Sequence, residues 1–137
     1  MAAELDRAHA REAVTGLHAE FVGLNPRFTK ACTDWQIRPR DANPMAFNDH
    51  TDWPWDERVL GTLTSLGRAL TVLGGGLAGL LARFDGYTAR YGTALGRVDR
   101  GERRWVDSPE VDSCHTVWVQ LHEDLLSTLG LPRGSDT

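Results

Sequence analysis

The residues with the greatest chemical capacity in this sequence are its histidines. His50 stands in the polar run Asn48-Asp49-His50-Thr51-Asp52, and His115 and His122 lie seven residues apart with Val119 between them. Seven residues make about two helical turns, so on a helix both side chains point the same way, on a flank beside an apolar seam. His18 falls beside the apolar positions of an earlier helix. Neutral imidazole and carboxylate oxygen are common ligands for Zn, Mn, Fe or Ni, and helical bundles build such sites from facing helices. This marks His50, His115 and His122 as a candidate ligand set for a divalent transition metal, with Asp49 or Glu123 as carboxylate partners. The geometric demand is steep. Residues seven apart sit about 10 Å apart along a helix axis, whereas two nitrogens each about 2 Å from one ion lie within about 4 Å of each other. The competing reading is half-buried histidines satisfied by hydrogen bonds.

Arg83, Arg90, Arg97 and Arg104 recur every seven residues, which sets at least the first three along one edge of a helix. Such an edge can dock an acidic partner, or it can pair with Glu and Asp of neighbouring helices. Cys32 and Cys114 form no CxxC pair and read as reduced, buried thiols; Cys114 followed by His115 is the reactive alternative. Phosphate loops, nucleophile elbows, HExxH and EF-hand spacings are all missing from the sequence. One histidine near the second helix and two on a late helix resembles, in outline, the DinB-like metal-dependent helical bundles. There the late-helix histidines lie four apart rather than seven, and no family is assigned on this basis.

The elements that must position these residues are helices. Ala10, Val14, Leu17, Phe21, Leu24 and Phe28 share one helical face, with a kink or restart expected at Asn25-Pro26. Periodicity fails over 33–53, where Pro39, Asn43-Pro44 and Asn48-Asp49 supply turn chemistry. Trp35, Ile37, Met45, Phe47 and Trp53 make that connection apolar enough to pack across the helices, and the aromatic cluster Trp35, Phe47, Trp53 and Trp55 either cements it to the bundle or lines a ligand pocket beneath it. Thr51 or Asp52 with Pro54, Asp56 and Glu57 then marks a helix start.

From Leu63 through Leu66, Leu70, Leu73, Leu77, Leu80, Phe84, Tyr87, Tyr91 and Ala94 to Val98 the steps alternate between three and four, the heptad seam of packed helices. Gly74-Gly75-Gly76 interrupts it, each Gly costing a helix interior about 1 kcal/mol relative to Ala. A break at these glycines gives an antiparallel hairpin, the favoured arrangement; one unbroken helix from Pro54 to Asp99 would run about 65 to 70 Å and need a partner chain. Gly67, Thr71, Gly74 and Ala78 add a small-residue stripe that admits a close helix neighbour if the segment is continuous. Ser108-Pro109-Glu110 opens a last helix that Leu129-Gly130 closes.

The expected fold is all-α: a four-helix bundle-like single domain over 1–137, with helices at 4–24, 54–73, 77–99 and 109–129, helices two and three either separate or joined, and a flexible tail at 134–137. At 137 residues, 41% hydrophobic and 25% charged, the chain suits one packed core. A net charge of −4 gives no field to hold nucleic acid. The uncharged stretch from Ala69 to Ala82 is fourteen residues, short of the roughly twenty that span a bilayer. The N-terminus lacks a secretory signal pattern, so cytoplasmic location is expected. These features favour a helical interaction module that self-associates or docks a helical protein partner, using the heptad seam and Arg83, Arg90 and Arg97. The alternative is a small metal-dependent helical enzyme or metal-binding protein using the three histidines.

Overall fold

The computed structural model describes residues 2–132, with side chains from residue 9 onward, so the tail expected at 134–137 lies outside the described residues. Among the described residues there are four α-helices: α1 (Ala2–Gln36), α2 (Trp53–Leu80), α3 (Tyr87–Asp99) and α4 (Cys114–Leu129). Short 3-10 turns stand at Ala82–Phe84 and Arg103–Trp105. The fold is all-α, and α1 and α3 each pack against both α2 and α4.

Direction follows from which residues meet. Leu17 lies against Gly76, Arg27 reaches Ser65 and Trp55 reaches Asp34, so rising numbers on α1 meet falling numbers on α2. The same holds for Gly67–Tyr91 and Gly74–Thr88 between α2 and α3. Tyr87–Asp124 and Arg90–Gln120 relate α3 to α4, and Phe21 and Phe28 against Trp118 with Arg11 against Leu129 relate α1 to α4. This is an up-down-up-down bundle.

Helix α1 does not break at Asn25-Pro26 but runs through Pro26 to Gln36. An interior proline costs about 3 kcal/mol. Beyond it lie Phe28, Ala31, Cys32 and Trp35, all buried, and they extend the seven-residue repeat of Val14 and Phe21. Burying Phe28 and Trp35 alone is worth about 1.5–3 kcal/mol each, so packing outweighs the lost hydrogen bond.

Helices α2 and α3 are separate, and the break is not at the glycines. Helix α2 continues through Gly74-Gly75-Gly76 to Leu80; the chain then turns through extended Leu81 and a left-handed Gly86 (φ 98°) into α3. The expected boundaries at 73 and 77 are therefore displaced. A Cβ on Gly74 would collide with Thr88 Oγ1, and one on Gly67 would stand 2.9 Å from Tyr91 Cε1. The small residues are contact points that let α3 approach closely, and this contact offsets their low helix propensity.

Leu63, Leu66, Leu70, Leu73, Leu77, Phe84, Tyr91, Ala94 and Val98 are buried within the chain, so the heptad seam is largely consumed by its own bundle. At 28 residues α2 extends well past the uncharged stretch, and by length and composition it is apolar enough to cross a membrane; here its leucine seam faces the other helices. Helix α4 starts at Cys114 rather than near Pro109, because Ser113, not Ser108, is the cap: its buried Oγ accepts from Thr116 N at 3.2 Å, while Ser108 Oγ closes a local turn on Glu110 N.

The glycine contacts generate a paired prediction. Gly75 is exposed, with nothing within 4 Å of an added Cβ, so Gly75→Ala should stabilise by up to about 1 kcal/mol in urea denaturation. Gly74→Ala must displace Thr88 and should instead cost about 1–3 kcal/mol. Equal gains at both positions would show that α3 does not approach α2 at Gly74.

Candidate functional site

The connection between α1 and α2 is shorter and more ordered than the sequence suggested. It folds back as a hairpin, with Ile37 bridged to Phe47 and Arg40 to Asn43 in antiparallel register. Arg38 N donates to Ala46 O at 2.9 Å, and Asn48 N to Gln36 O at 2.8 Å. Of the apolar residues expected to pack down, Trp35 is buried within α1. Met45, Phe47 and Trp53 stand out in solvent with 69%, 83% and 63% of their surface exposed. They neither cement the connection nor line a pocket beneath it.

What holds the hairpin is a buried polar network at its neck. Asn48 Nδ2 donates to Trp35 O at 2.9 Å and to Asp56 Oδ1 at 2.8 Å, and Asn48 Oδ1 accepts from His50 N at 3.1 Å. His50 Nδ1 lies 2.8 Å from Asp56 Oδ2. The imidazole is tilted against Trp35, with ring centroids 4.3 Å apart. Asn48 and Asp56 are 8% and 3% exposed, so every polar group on them needs the partner it has. His50 adopts φ 60°, the only left-handed non-glycine among the described residues. Such a backbone persists only where the surroundings hold it, at about 1–3 kcal/mol.

Around the network Arg38 grips Asp52 through Nε and Nη2 at 2.9 and 2.6 Å, and Asp52 Oδ1 caps α2 by accepting from Trp55 N at 3.1 Å. The Trp55 amide bond, followed by Arg38, holds the Asp52 carboxyl below its ordinary range. Trp55 Nε1 donates to Asp34 O at 2.7 Å. The neck is thus tied to α1 through Trp35 and Asp34, and to α2 through Asp52 and Asp56.

The three candidate metal ligands lie in three settings. His50 is in the neck; His115 is exposed on α4, stacked toward Phe28 of α1 with centroids 6.3 Å apart; His122 lies beside Phe21 at 5.3 Å and His18 at 6.4 Å. His115 and His122 do share the flank of α4 that faces α1, as their spacing requires. Among the described residues no group of three or more His, Cys, Asp or Glu is placed to hold a metal ion. Asp49 is engaged locally with Thr51 and Arg40. Cys32 and Cys114 are free and buried, and burial pushes both thiols up to about 12, which keeps them protonated at neutral pH.

The arginine ladder is paired inside the chain. Arg83 meets Asp124 at 3.2 Å, Arg90 binds both oxygens of Asp112 at 2.9 and 2.6 Å and also Gln120, and Arg97 meets Glu102 at 3.3 Å. Their guanidinium groups lie over Phe84, Tyr87 and Trp105 at 5.2–5.5 Å. Arg83 stands in the first 3-10 turn and Arg104, exposed, in the second, so of the expected edge only Arg90 and Arg97 lie on α3. Arg90 holds the Asp112 carboxyl below its ordinary range, chiefly through the hydrogen bond.

Sequence reading missed Asn48 and Asp56, which it took for a turn residue and a helix-dipole residue. A helix-start Asp following a histidine at six residues was the available signal. Compared with known proteins, the chain matches no family model, no curated protein and no solved structure.

Two outcomes follow. Asn48→Ala leaves Asp56 and the Trp35 carbonyl short of a buried donor and should cost about 1–3 kcal/mol in chemical denaturation. An effect within error would mean that the hairpin is not held through this network. Arg90→Gln should cost about 1 kcal/mol at pH 7, the upper range for a half-exposed pair. Because folding depresses the Asp112 pKa, this contribution is present above the unfolded carboxylate pKa, about 3.9, and is lost as pH falls through the folded value. The gap between wild type and Arg90→Gln should therefore close in acid; a gap independent of pH would mean that Arg90 acts by packing alone.

Proposed function

We propose that the chain is a helical protein–protein interaction module that pairs with a second copy of itself through its hairpin. The observation that carries this reading is the exposure of Met45, Phe47 and Trp53 close together in sequence on an ordered segment; the other exposed large apolar residues among those described, Val72, Leu80, Val119 and Leu131, are aliphatic and stand further along the chain. Aromatic residues and Met are enriched at the centres of protein interfaces, and Trp is frequent among energetic hot spots. The neck network supports the reading too, because a pre-ordered loop loses little freedom on binding.

The charges around these residues favour a copy over a strongly charged partner. Arg38 and Arg40 are already paired with Asp52 and Asp49 within the chain, so the hairpin presents a surround of mixed sign and little net charge, which a two-fold arrangement can set against itself without repulsion. Self-association was first expected through the heptad seam. That seam is occupied within the chain, and the hairpin takes its place as the associating face.

Sedimentation equilibrium over a wide concentration range tests this. The wild type should show a concentration-dependent dimer, and Phe47→Ser with Trp53→Ser should be monomeric at an unchanged melting temperature, since both side chains are exposed. A wild type that stays monomeric at high micromolar concentration removes the self-association reading.

A further inference from the structure

A cleft between α1 and α2, separate from the neck network, has a chemistry that neither the bundle nor the hairpin uses. Its volume is about 330 Å³. The floor is apolar, made by Ala31 and Val59, which are 3% and 5% exposed, and one wall is the ring of Trp55. The rim carries Arg27 and Lys30 from α1 and Arg58 from α2. Lys30 is paired with Asp34. Arg27 reaches only Ser65 Oγ, at 3.5 Å, and Arg58 lies over the Trp55 ring at 5.3 Å; neither forms a salt bridge among the described residues, although the field of Arg58 reaches Asp52.

Three cations against one carboxylate leave the cleft locally positive in a chain of net charge −4. Guanidinium groups match carboxylates in a planar fork, and they do so best beside a low-dielectric wall where water competes less. Trp55 supplies that wall in a fixed orientation, because its Nε1 is tied to Asp34 O at 2.7 Å. An inorganic anion would satisfy the guanidinium groups and leave the floor uncovered. A small organic carboxylate with a flat or aliphatic body would satisfy both. We infer that this cleft binds a small organic carboxylate, its charged end received by Arg27 and Arg58 and its apolar body laid on Ala31, Val59 and Trp55.

The test is a titration of the full-length protein with benzoate, followed by amide chemical shifts in two-dimensional NMR, with benzyl alcohol and inorganic phosphate as comparisons. Benzoate should shift amides of 27–34 and 55–62 saturably, with a millimolar dissociation constant. Arg27→Gln and Arg58→Gln should each weaken binding about tenfold, roughly one charge-assisted hydrogen bond. The double variant should lose it, while Arg100→Gln, at the exposed C-cap of α3 and not among the cleft's lining residues, should leave it unchanged. Benzyl alcohol should bind at least about tenfold more weakly than benzoate. The same spectra report whether each variant is folded. Non-saturating or scattered shifts with benzoate, or full binding by the folded double variant, would overturn the site. Phosphate binding as tightly as benzoate at the same amides would overturn the organic carboxylate and leave a simple anion patch.

Discussion

The bundle is organised around the indole of Trp118, 1% exposed and one turn into α4. On one side it lies nearly parallel to Phe28, with centroids 4.3 Å apart and 7° between the planes, and it tilts against Phe21 at 4.7 Å. On another it meets Tyr91 of α3 at 6.3 Å. A buried indole N–H needs an acceptor, and Asn25 Oδ1 accepts it at 3.0 Å. Tyr91 carries the linkage onward, its hydroxyl donating to Leu63 O of α2 at 2.8 Å. One side chain and its neighbour therefore reach all four helices. Truncating a buried Trp costs about 3–5 kcal/mol, against about 5–15 kcal/mol for the whole stability of a domain.

The Trp118–Tyr91 contact dictates features that look anomalous alone. For the Tyr91 hydroxyl to reach the Leu63 carbonyl, its ring must pass over α2 at the next turn, where Gly67 leaves room that a Cβ would reduce to 2.9 Å. Gly74 gives the same clearance to Thr88 one seven-residue step further on. Likewise α1 must stay helical through Pro26, because Phe21 and Asn25 before the proline and Phe28 after it all serve the same indole. The ring of Tyr91 is itself sealed off, and burial raises its phenol far above the ordinary range, so the hydroxyl keeps the proton it donates to Leu63 O.

Much of this was legible in the sequence, for reasons that separate local from non-local physics. Helix type, the seam from Leu63 to Val98, the cap at Asp52 and the stop at Gly130 all follow from periodicity and cap chemistry, which act within a turn or two. The errors arose where packing at a distance outweighs propensity. Pro26 read as a break because its partners Phe28 and Trp35 gain their value only against α4 and the hairpin; the triple glycine read as a hinge because Thr88 and Leu17 could not be placed opposite it. The arginines, spaced at seven, were legible as an edge that either docks a partner or pairs with neighbouring acids, but the particular partners Asp112, Asp124 and Glu102 were not, since all three lie outside α3. The cleft flanked by Arg27 and Arg58 left no trace in the sequence, as its two sides are thirty-one residues apart.

The hairpin shows most clearly which interactions decide the surface. Its turn residues Asn43 and Pro44 suit a tight reversal, but nothing local asks His50 for a left-handed backbone, a conformation that costs about 1–3 kcal/mol. The offset comes from Asp56: a buried carboxylate at the start of α2 requires donors, and only with His50 turned into φ 60° do the imidazole Nδ1 and Asn48 Nδ2 both reach it. Once that geometry is set, the backbone from Gln36 to Asn48 is fixed by the two cross-strand hydrogen bonds at its base. Strict alternation across the Ile37–Phe47 bridge then sends the Phe47 ring outward, away from the core that Asn48 enters. The exposure of Phe47 is thus a consequence of satisfying a buried carboxyl group, not of a loose loop, and the aromatic face is held in one orientation by the same bonds that close the neck.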